Sequence, residues 1–324
     1  MKSLQRLILV LVFQLVVVSQ GLCQDRRATW FQKAGWGVFM HYLAETPELP
    51  AEEWNRRINQ FDVDGLAQQL ESVKAGYFFV TLGQNSGHYL SPNQTYDRLV
   101  GIRPSKCSTR DLVEALSRAL EPKGIKLLVY LPSGAPDQDH VAVEKLEWKR
   151  GPYRNLSFQQ KWERIIQEWS QRWGKKVSGW WFDGCYWPNA MYRAAVPPNY
   201  ASFAAAARSG NPDSLLAFNR GVVYPIHSDT DQDDYTAGET NDPTQVSYDE
   251  FWQDVAQFHM LSYLGKAWSQ CPPRFSDEQV VHITRRIVGK GGVATWDVPP
   301  QRDGRIQGEF LRQLKLIGEA LAVK

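Results

Sequence analysis

The feature that most restricts the fold is a recurrence: short apolar runs, each followed by a helix-like segment, continue through most of the chain. Trp36–His41 reads as a first strand, and Phe61–Ala75 follows with Phe61, Leu66, Leu70 and Val73 at helical spacing. Tyr77–Gly83 is a second strand, Asp111–Leu120 a helix and Ile125–Pro132 a third strand. Helix Leu156–Trp173 leads into strand Ser178–Gly184, and the Ala-rich helix Tyr200–Arg208 into strand Leu215–Gly221. An irregular stretch holding Asp234–Glu239 precedes strand Met260–Gly265, helix Glu278–Val288, strand Gly292–Val298 and a closing helix, Glu309–Ala322. The strands are continuously apolar, which means burial on both faces and hence a parallel sheet covered by helices. About eight such strands alternating with helices predict an α/β fold of the (β/α)8 TIM-like barrel type, as a single domain. A doubly wound open sheet is the competing architecture. No glycine-rich phosphate loop follows the first strand, so the nucleotide-binding use of that alternative has no support.

Residues 1–23 stand apart. They carry Lys2 and Arg6, no acid, and the apolar run Leu7–Val18 broken by Gln14, followed by Ser19-Gln20-Gly21-Leu22-Cys23. That is the layout of a secretory signal peptide, and the run is too short to span a bilayer comfortably. Cleavage after Gly21 or Cys23 fits, whereas Leu22 is a poor neighbour for a lipid anchor on Cys23. The expected organisation is a signal peptide at 1–23 and a catalytic barrel at 24–324, in a secreted or periplasmic protein with no integral membrane segment after cleavage. There are 37 Lys+Arg against 35 Asp+Glu, and both excess charges lie in the signal. The remainder is balanced, which leaves no electrostatic case for nucleic acid or an anionic membrane as partner. Thirteen Trp and thirteen Tyr suit a surface that handles sugars, whose C–H faces stack on flat rings, although core filling accounts for most of them. Cys107, Cys185 and Cys271 have no metal-ligand spacing, and nothing in the sequence pairs them.

Active sites of such barrels gather at the C-terminal ends of the strands. Those ends supply His41, Gln84 with Asn85, Ser133, Asp183, Arg220, Glu239 and Asp297. Asp183 stands out, because Trp180-Trp181-Phe182-Asp183-Gly184 puts a carboxylate at the end of a deeply apolar run, although a helix-capping Asp is the plainer alternative. Arg220 ends the next strand, where a cation can keep a carboxylate ionised, or form an ordinary ion pair. Glu239, on spacing alone, is no better placed than other carboxylates. Two carboxylates facing a sugar are the minimum equipment for glycoside cleavage, one ionised to attack and one protonated to donate. The six His show no paired metal-ligand spacing, and no nucleophile-elbow motif is present, so neither a metal nor another cofactor is expected.

The ordered motifs resemble those of the α-L-fucosidases of glycoside hydrolase family 29. Trp30-Phe31 and Gly37-Val38-Phe39-Met40-His41 look like that family's opening strand with its sugar-binding His, and Glu53-Trp54 like the pair that follows it. Trp181-Phe182-Asp183-Gly184 is similar to the nucleophile strand, Asn219-Arg220 to the next strand end, and Tyr235–Glu239 to the segment bearing the acid/base. Lys290-Gly291-Gly292, Pro299-Pro300 and Asp303-Gly304 resemble the closing signature. The resemblance implies a retaining exo-glycosidase acting on terminal α-L-fucosyl residues of a glycan or polysaccharide, with Asp183 as nucleophile and Glu239 as acid/base. It further implies a sugar subsite of His41, Glu53, Trp54, Gln84, Asn85 and Trp181, with Arg220 as electrostatic support. Gly83-Gln84-Asn85-Ser86-Gly87 departs from the family's Lys-His-His-Asp-Gly, and Tyr42 replaces a Trp. The family's frequent C-terminal β-sandwich has no counterpart here. The same chemistry on another sugar, or a catalytically weak sugar-binding relative, are therefore the alternatives.

Overall fold

The apolar runs fold as strands, six of which stop one to three residues short of where the runs end, while β3 reaches the end of its run at Pro132. A computed structural model describes residues 27–247 and 256–322; the signal-peptide reading of 1–23, with Cys23, falls outside these. The strands are β1 (Trp36–Met40), β2 (Tyr77–Thr81), β3 (Lys126–Pro132), β4 (Gly179–Asp183), β5 (Leu215–Phe218), β6 (His259–Tyr263) and β7 (Val293–Asp297). All pairings are parallel, and the sheet runs β5-β4-β3-β2-β1-β7-β6. A parallel order that follows the sequence outward from β1 is what right-handed crossovers through helices produce. Helices α1 (27–34), α2 (Ala51–Asn59), α3 (Val63–Ser72), α4 (Gln94–Val100), α5 (Leu112–Leu120), α6 (His140–Leu146), α7 (Leu156–Trp173), α8 (Pro188–Met191), α9 (Tyr200–Ala207), α10 (Asp277–Gly289) and α11 (Gly308–Ala322) make the connections.

Local chemistry accounts for the helices that the sequence predicts. Asp62, Asp111 and Ser276 cap α3, α5 and α10, each accepting from the backbone N–H three residues on. In α7, Phe158, Trp162, Ile165, Trp169 and Trp173 recur at helical spacing and are all buried. Helix α2, which carries Glu53 and Trp54, is not anticipated by the apolar pattern, because charged residues dominate it. Among the described residues no helix is long and apolar enough to cross a membrane. Cys107, Cys185 and Cys271 are free, the first two buried.

The two faces of the sheet differ. Val38, Met40, Phe78, Val80, Val129, Trp180 and Phe182 face the helices. Phe39, Tyr77, Phe79, Leu128, Tyr130 and Trp181 pack together on the concave face, with Ala237 and Leu261. Alternation along each strand thus separates two cores. Phe31 of α1 enters the inner one, with ring centroids 4.7 Å from Tyr77, 4.9 Å from Tyr235 and 5.4 Å from His259.

Where an eighth strand is expected, residues 234–240 run parallel to β6 without forming a regular strand. Thr236 N donates to Gln257 O (3.0 Å), Leu261 N to Gly238 O (2.8 Å) and Thr240 N to Leu261 O (2.9 Å). Towards β5 the backbone ladder shrinks to Asp234 N donating to Leu216 O at 2.9 Å. Carboxylates serve the rest of that edge: Asp234 Oδ2 accepts from Leu216 N (3.0 Å) and Asp233 Oδ1 from Phe218 N (2.8 Å). Side chains thus occupy the ladder positions a strand would need, so among the described residues the regular sheet has seven strands, and an irregular segment bonds to both β5 and β6.

Candidate active site

The inner face fixes which strand-end residues converge. Asp183 shares its phase with Trp181, Glu239 with Tyr235 and Ala237, and His41 with Phe39, all inner-face residues. These side chains meet in a cavity of about 280 Å³ lined also by Leu43, Gln84, Tyr130, Leu261, Trp268 and Ser269.

Asp183 is held through both oxygens. Oδ2 accepts from the Tyr130 hydroxyl at 2.6 Å, and Oδ1 accepts from Asn219 Nδ2 at 2.9 Å and from Gly184 N at 2.8 Å. The same Asn219 nitrogen donates to Glu239 Oε2 at 2.6 Å. Contacts of 2.9 and 2.6 Å through one nitrogen atom hold Asp183 Oδ1 and Glu239 Oε2 within about 5.5 Å of each other. That upper limit on the nearest oxygens falls short of the roughly 6.5–9.5 Å between carboxyl groups that leave room for a water between them.

Electrostatics separates the two acids. Burial, and then the charge of Asp183, push the Glu239 carboxyl up to about 7, against the pull of the Asn219 hydrogen bond and of His41. Glu239 is therefore substantially protonated at neutral pH. Burial and the adjacent Asp183 also raise the Tyr130 phenol well above its ordinary value, so it remains a donor to Asp183. Gln84 Nε2 donates to the Tyr130 oxygen at 2.7 Å and completes the chain Gln84–Tyr130–Asp183.

The rest of the cavity is set by rigid anchors. His41 Nδ1 donates to Asp297 Oδ1 at 2.8 Å, and Asp297 Oδ2 accepts from Ser269 N at 2.6 Å. Trp181 stacks on Tyr130 (5.4 Å, 21°) and donates its indole N–H to Ala237 O at 2.9 Å, tying β4 to the segment that carries Glu239. Among the described residues no group of three or more His, Cys, Asp and Glu is placed to hold a metal ion.

Not every residue named from the sequence enters this cavity. Trp54 is 1% exposed and donates its indole N–H to Tyr89 O at 3.0 Å, so it packs in the outer core. Glu53 is engaged by Arg56 Nη2 at 2.6 Å and Arg57 Nε at 3.0 Å on the surface of α2. Neither lines the cavity. Arg220 lies one residue out of phase with the inner face: its Nη2 donates to His227 Nε2 at 2.9 Å and its Nη1 lies 3.5 Å from Asp229 Oδ1. Asn219 takes the place beside the carboxylates instead. Asn85 lines an adjoining cavity rather than this one. Strand alternation is enough to find Asn219, since it continues the phase of Leu215 and Ala217. Tyr130 and Trp268 carry no comparable signal, the first because it lies inside an apolar run, the second because it sits in a loop.

A sequence model of the family described as alpha-L-fucosidase matches residues 51–324. The chain belongs to the alpha-L-fucosidase family. Its membership makes it a glycoside hydrolase relative and accords with the motif order above. No match was found among curated proteins. Among solved structures, this alpha-L-fucosidase-family chain is similar to the endo-fucoidan hydrolase MfFcnA4 from glycoside hydrolase family 107, at 19% identity and a TM-score of 0.71 over 92% of this chain. It spans about half, 54%, of that protein's length. It is also similar to alpha-L-fucosidase isoenzyme 1 from Paenibacillus thiaminolyticus (17% identity, TM-score 0.63, 93% of this chain and 76% of that one). A third similar structure is alpha-L-fucosidase AlfC from Lactobacillus casei (13% identity, TM-score 0.61, 91% and 98%). At these identities the likeness is one of fold.

Proposed function

We propose that the protein is an exported, retaining exo-α-L-fucosidase. The observation that carries this is the Asn219 amide joining Asp183 and Glu239 at 2.9 and 2.6 Å, the spacing a double displacement needs. An Asp183 oxygen attacks the anomeric carbon while Glu239 gives its proton to the departing glycosidic oxygen, so the old bond breaks as the glycosyl–Asp183 ester forms. Glu239, now ionised, takes a proton from water as that water displaces Asp183 from the opposite face. The product keeps its starting configuration, and both side chains return to their first protonation states.

Hydrolysis of an aryl α-L-fucoside followed by proton NMR tests this. The α-anomer of fucose is expected first. Early β-anomer, or an Asp183→Asn variant keeping more than about a tenth of wild-type turnover (a barrier change of only about 1.4 kcal/mol), sinks the reading. A second reading, the same chemistry on another sugar, is favoured by one observation: Gln84, from the departing Gly83–Gly87 stretch, lines the cavity through a neutral amide. A panel of aryl glycosides separates the two.

The segment 234–240 is the irregular eighth stave of a closed (β/α)8 barrel in this reading. Export follows from the layout of residues 1–23, and sequencing the N-terminus of the mature protein checks it: a start at Met1 rejects export by a cleaved signal.

A further inference from the structure

Three neighbouring strands carry one line of hydrogen bonds along the concave face. Tyr130 on β3 stands opposite Thr81 of β2 and Trp181 of β4 in the sheet register. Gln84, just past β2, and Asp183, at the end of β4, therefore flank its ring. Gln84 Nε2 donates to the phenol oxygen at 2.7 Å, and the phenol donates to Asp183 Oδ2 at 2.6 Å.

Both members ahead of the carboxylate are held. The Tyr130 ring is 2% exposed, stacked on Trp181 and 5.7 Å from Phe39. Gln84 sits in a tight turn, where Gly87 N donates to Gln84 O at 3.1 Å and Gln138 N to Asn85 O at 3.0 Å. A Cβ on Gly83 would come within 2.4 Å of the Tyr89 ring, so that turn packs closely. A fixed ring and a fixed turn leave one freedom, the rotation of the phenol hydrogen about its C–O bond. A phenol oxygen that accepts from Gln84 keeps its own hydrogen for the carboxylate, and each bond in such a chain strengthens the next.

We propose that Tyr130 is the donor that meets the charge returning to Asp183 when the glycosyl–enzyme ester is broken, and that Gln84 is a positioning residue that keeps the phenol hydrogen turned to that task. The inference rests on the double displacement read above. In its first half Asp183 gives its charge up to the new bond, and a hydrogen bond that favours the charged carboxylate does not hasten that. In its second half water attacks the anomeric carbon and the bond to Asp183 breaks. The electron pair of that bond returns to Asp183, and Glu239 takes the proton of the water. The phenol then stabilises the charge that reappears on Asp183, as a preorganised donor stabilises any developing anion. Asn219 Nδ2 and Gly184 N serve Oδ1 in the same way, and the phenol serves Oδ2.

The test separates the two halves with 2-deoxy-2-fluoro-α-L-fucosyl fluoride, a reagent that loads the nucleophile quickly and leaves it slowly. The rate of inactivation reads the first half. The rate at which activity returns after the excess reagent is removed reads the second. Tyr130→Phe keeps the ring and is expected to slow reactivation about 10- to 150-fold, as loss of a hydrogen bond to a charged group dictates, but inactivation by less than about threefold. Gln84→Ala should slow reactivation about two- to twelvefold in the wild-type background and add nothing in the Tyr130→Phe background. Both rates come from the same folded molecules, so a folding defect does not separate them. Equal slowing of both halves by Tyr130→Phe, or unchanged reactivation, overturns the donor role. A Gln84→Ala effect that persists beside Tyr130→Phe overturns the positioning role and makes Gln84 a direct contact of the sugar. Mass spectrometry of the loaded wild type identifies a failure of the mechanism itself: no label on Asp183 rejects the functional reading, and this inference with it.

Discussion

Asn219 couples the two carboxylates, and its loss should be visible in both rate and pH profile. A hydrogen bond to a charged group is worth about 1.5–3 kcal/mol, so Asn219→Ala should lower kcat/KM roughly 10- to 150-fold. In the proposed mechanism the rate needs Glu239 protonated, so wild-type activity should fall as pH rises through about 7. Because the Asn219 bond lowers the affinity of Glu239 for its proton, Asn219→Ala should carry that alkaline limb to higher pH. A limb that stays put would remove Asn219, or Glu239, from the acid step. The same carboxyl weakens the fold. Its proton affinity is raised from about 4.5 in the unfolded chain to about 7, so its stabilising contribution is full below 4.5 and is lost as pH climbs through 7. Glu239→Gln should therefore be more stable than wild type at pH 8, by at most about 3 kcal/mol, in urea unfolding curves.

At the scale of elements, the segment 234–240 carries Glu239 with little regular pairing to hold it. Gly238 sits at φ +67°, and a Cβ there would come within 1.9 Å of His259 O, which is backbone and cannot swing aside. Gly238→Ala thus faces both a strained φ and a collision. It should shift the segment, abolish turnover and lower Tm by several degrees; an active variant with unchanged Tm would contradict this. Arg208 and Arg27, at 2.5 and 2.8 Å from Asp234, fasten the start of the same segment to α9 and α1.

Across the whole molecule, the inner core is closed at the end opposite the cavity by α1 and by a polar cluster. Phe31 is fully buried there, and Phe31→Ala should cost about 3–5 kcal/mol in chemical unfolding while leaving Asp183 and Glu239 untouched. His259 lies deep in that cluster: Nδ1 donates to Thr236 O at 3.0 Å and Nε2 accepts from Thr295 Oγ1 at 2.6 Å. Burial lowers its proton affinity from about 6.5 to about 4. Between those values the unfolded chain binds more protons, so stability from this residue is present above pH 6.5 and is lost as pH falls towards 4, about 3 kcal/mol in all. Comparing wild type with His259→Gln in urea at pH 7 and pH 4.5 checks this: the variant should lose less on acidification, and an equal loss would show that His259 does not titrate in this way.

The chain itself determined the order of its elements and the position of the carboxylate proposed as nucleophile. Runs such as Trp180-Trp181-Phe182, short and bounded by Gly, read as buried strands, and the polar residue that ends one lies at the strand's C-terminal end, so the place of Asp183 was legible from local pattern. His41 and Gln84 were found in the same way. What tertiary structure decided is which polar residues converge, because that depends on phase around a curved sheet and on loops packed from far along the chain. Arg220 and Asn219 are neighbours in sequence, and strand alternation sends only Asn219 inward. Glu53-Trp54 reads as a site motif, but α2 buries the Trp54 ring in the outer core and leaves Glu53 in surface ion pairs. Glu239 has no local mark that separates it from other carboxylates. Its proton affinity comes from burial and from a charge 56 positions away in sequence, within about 5.5 Å only because Asn219 of a third element holds both.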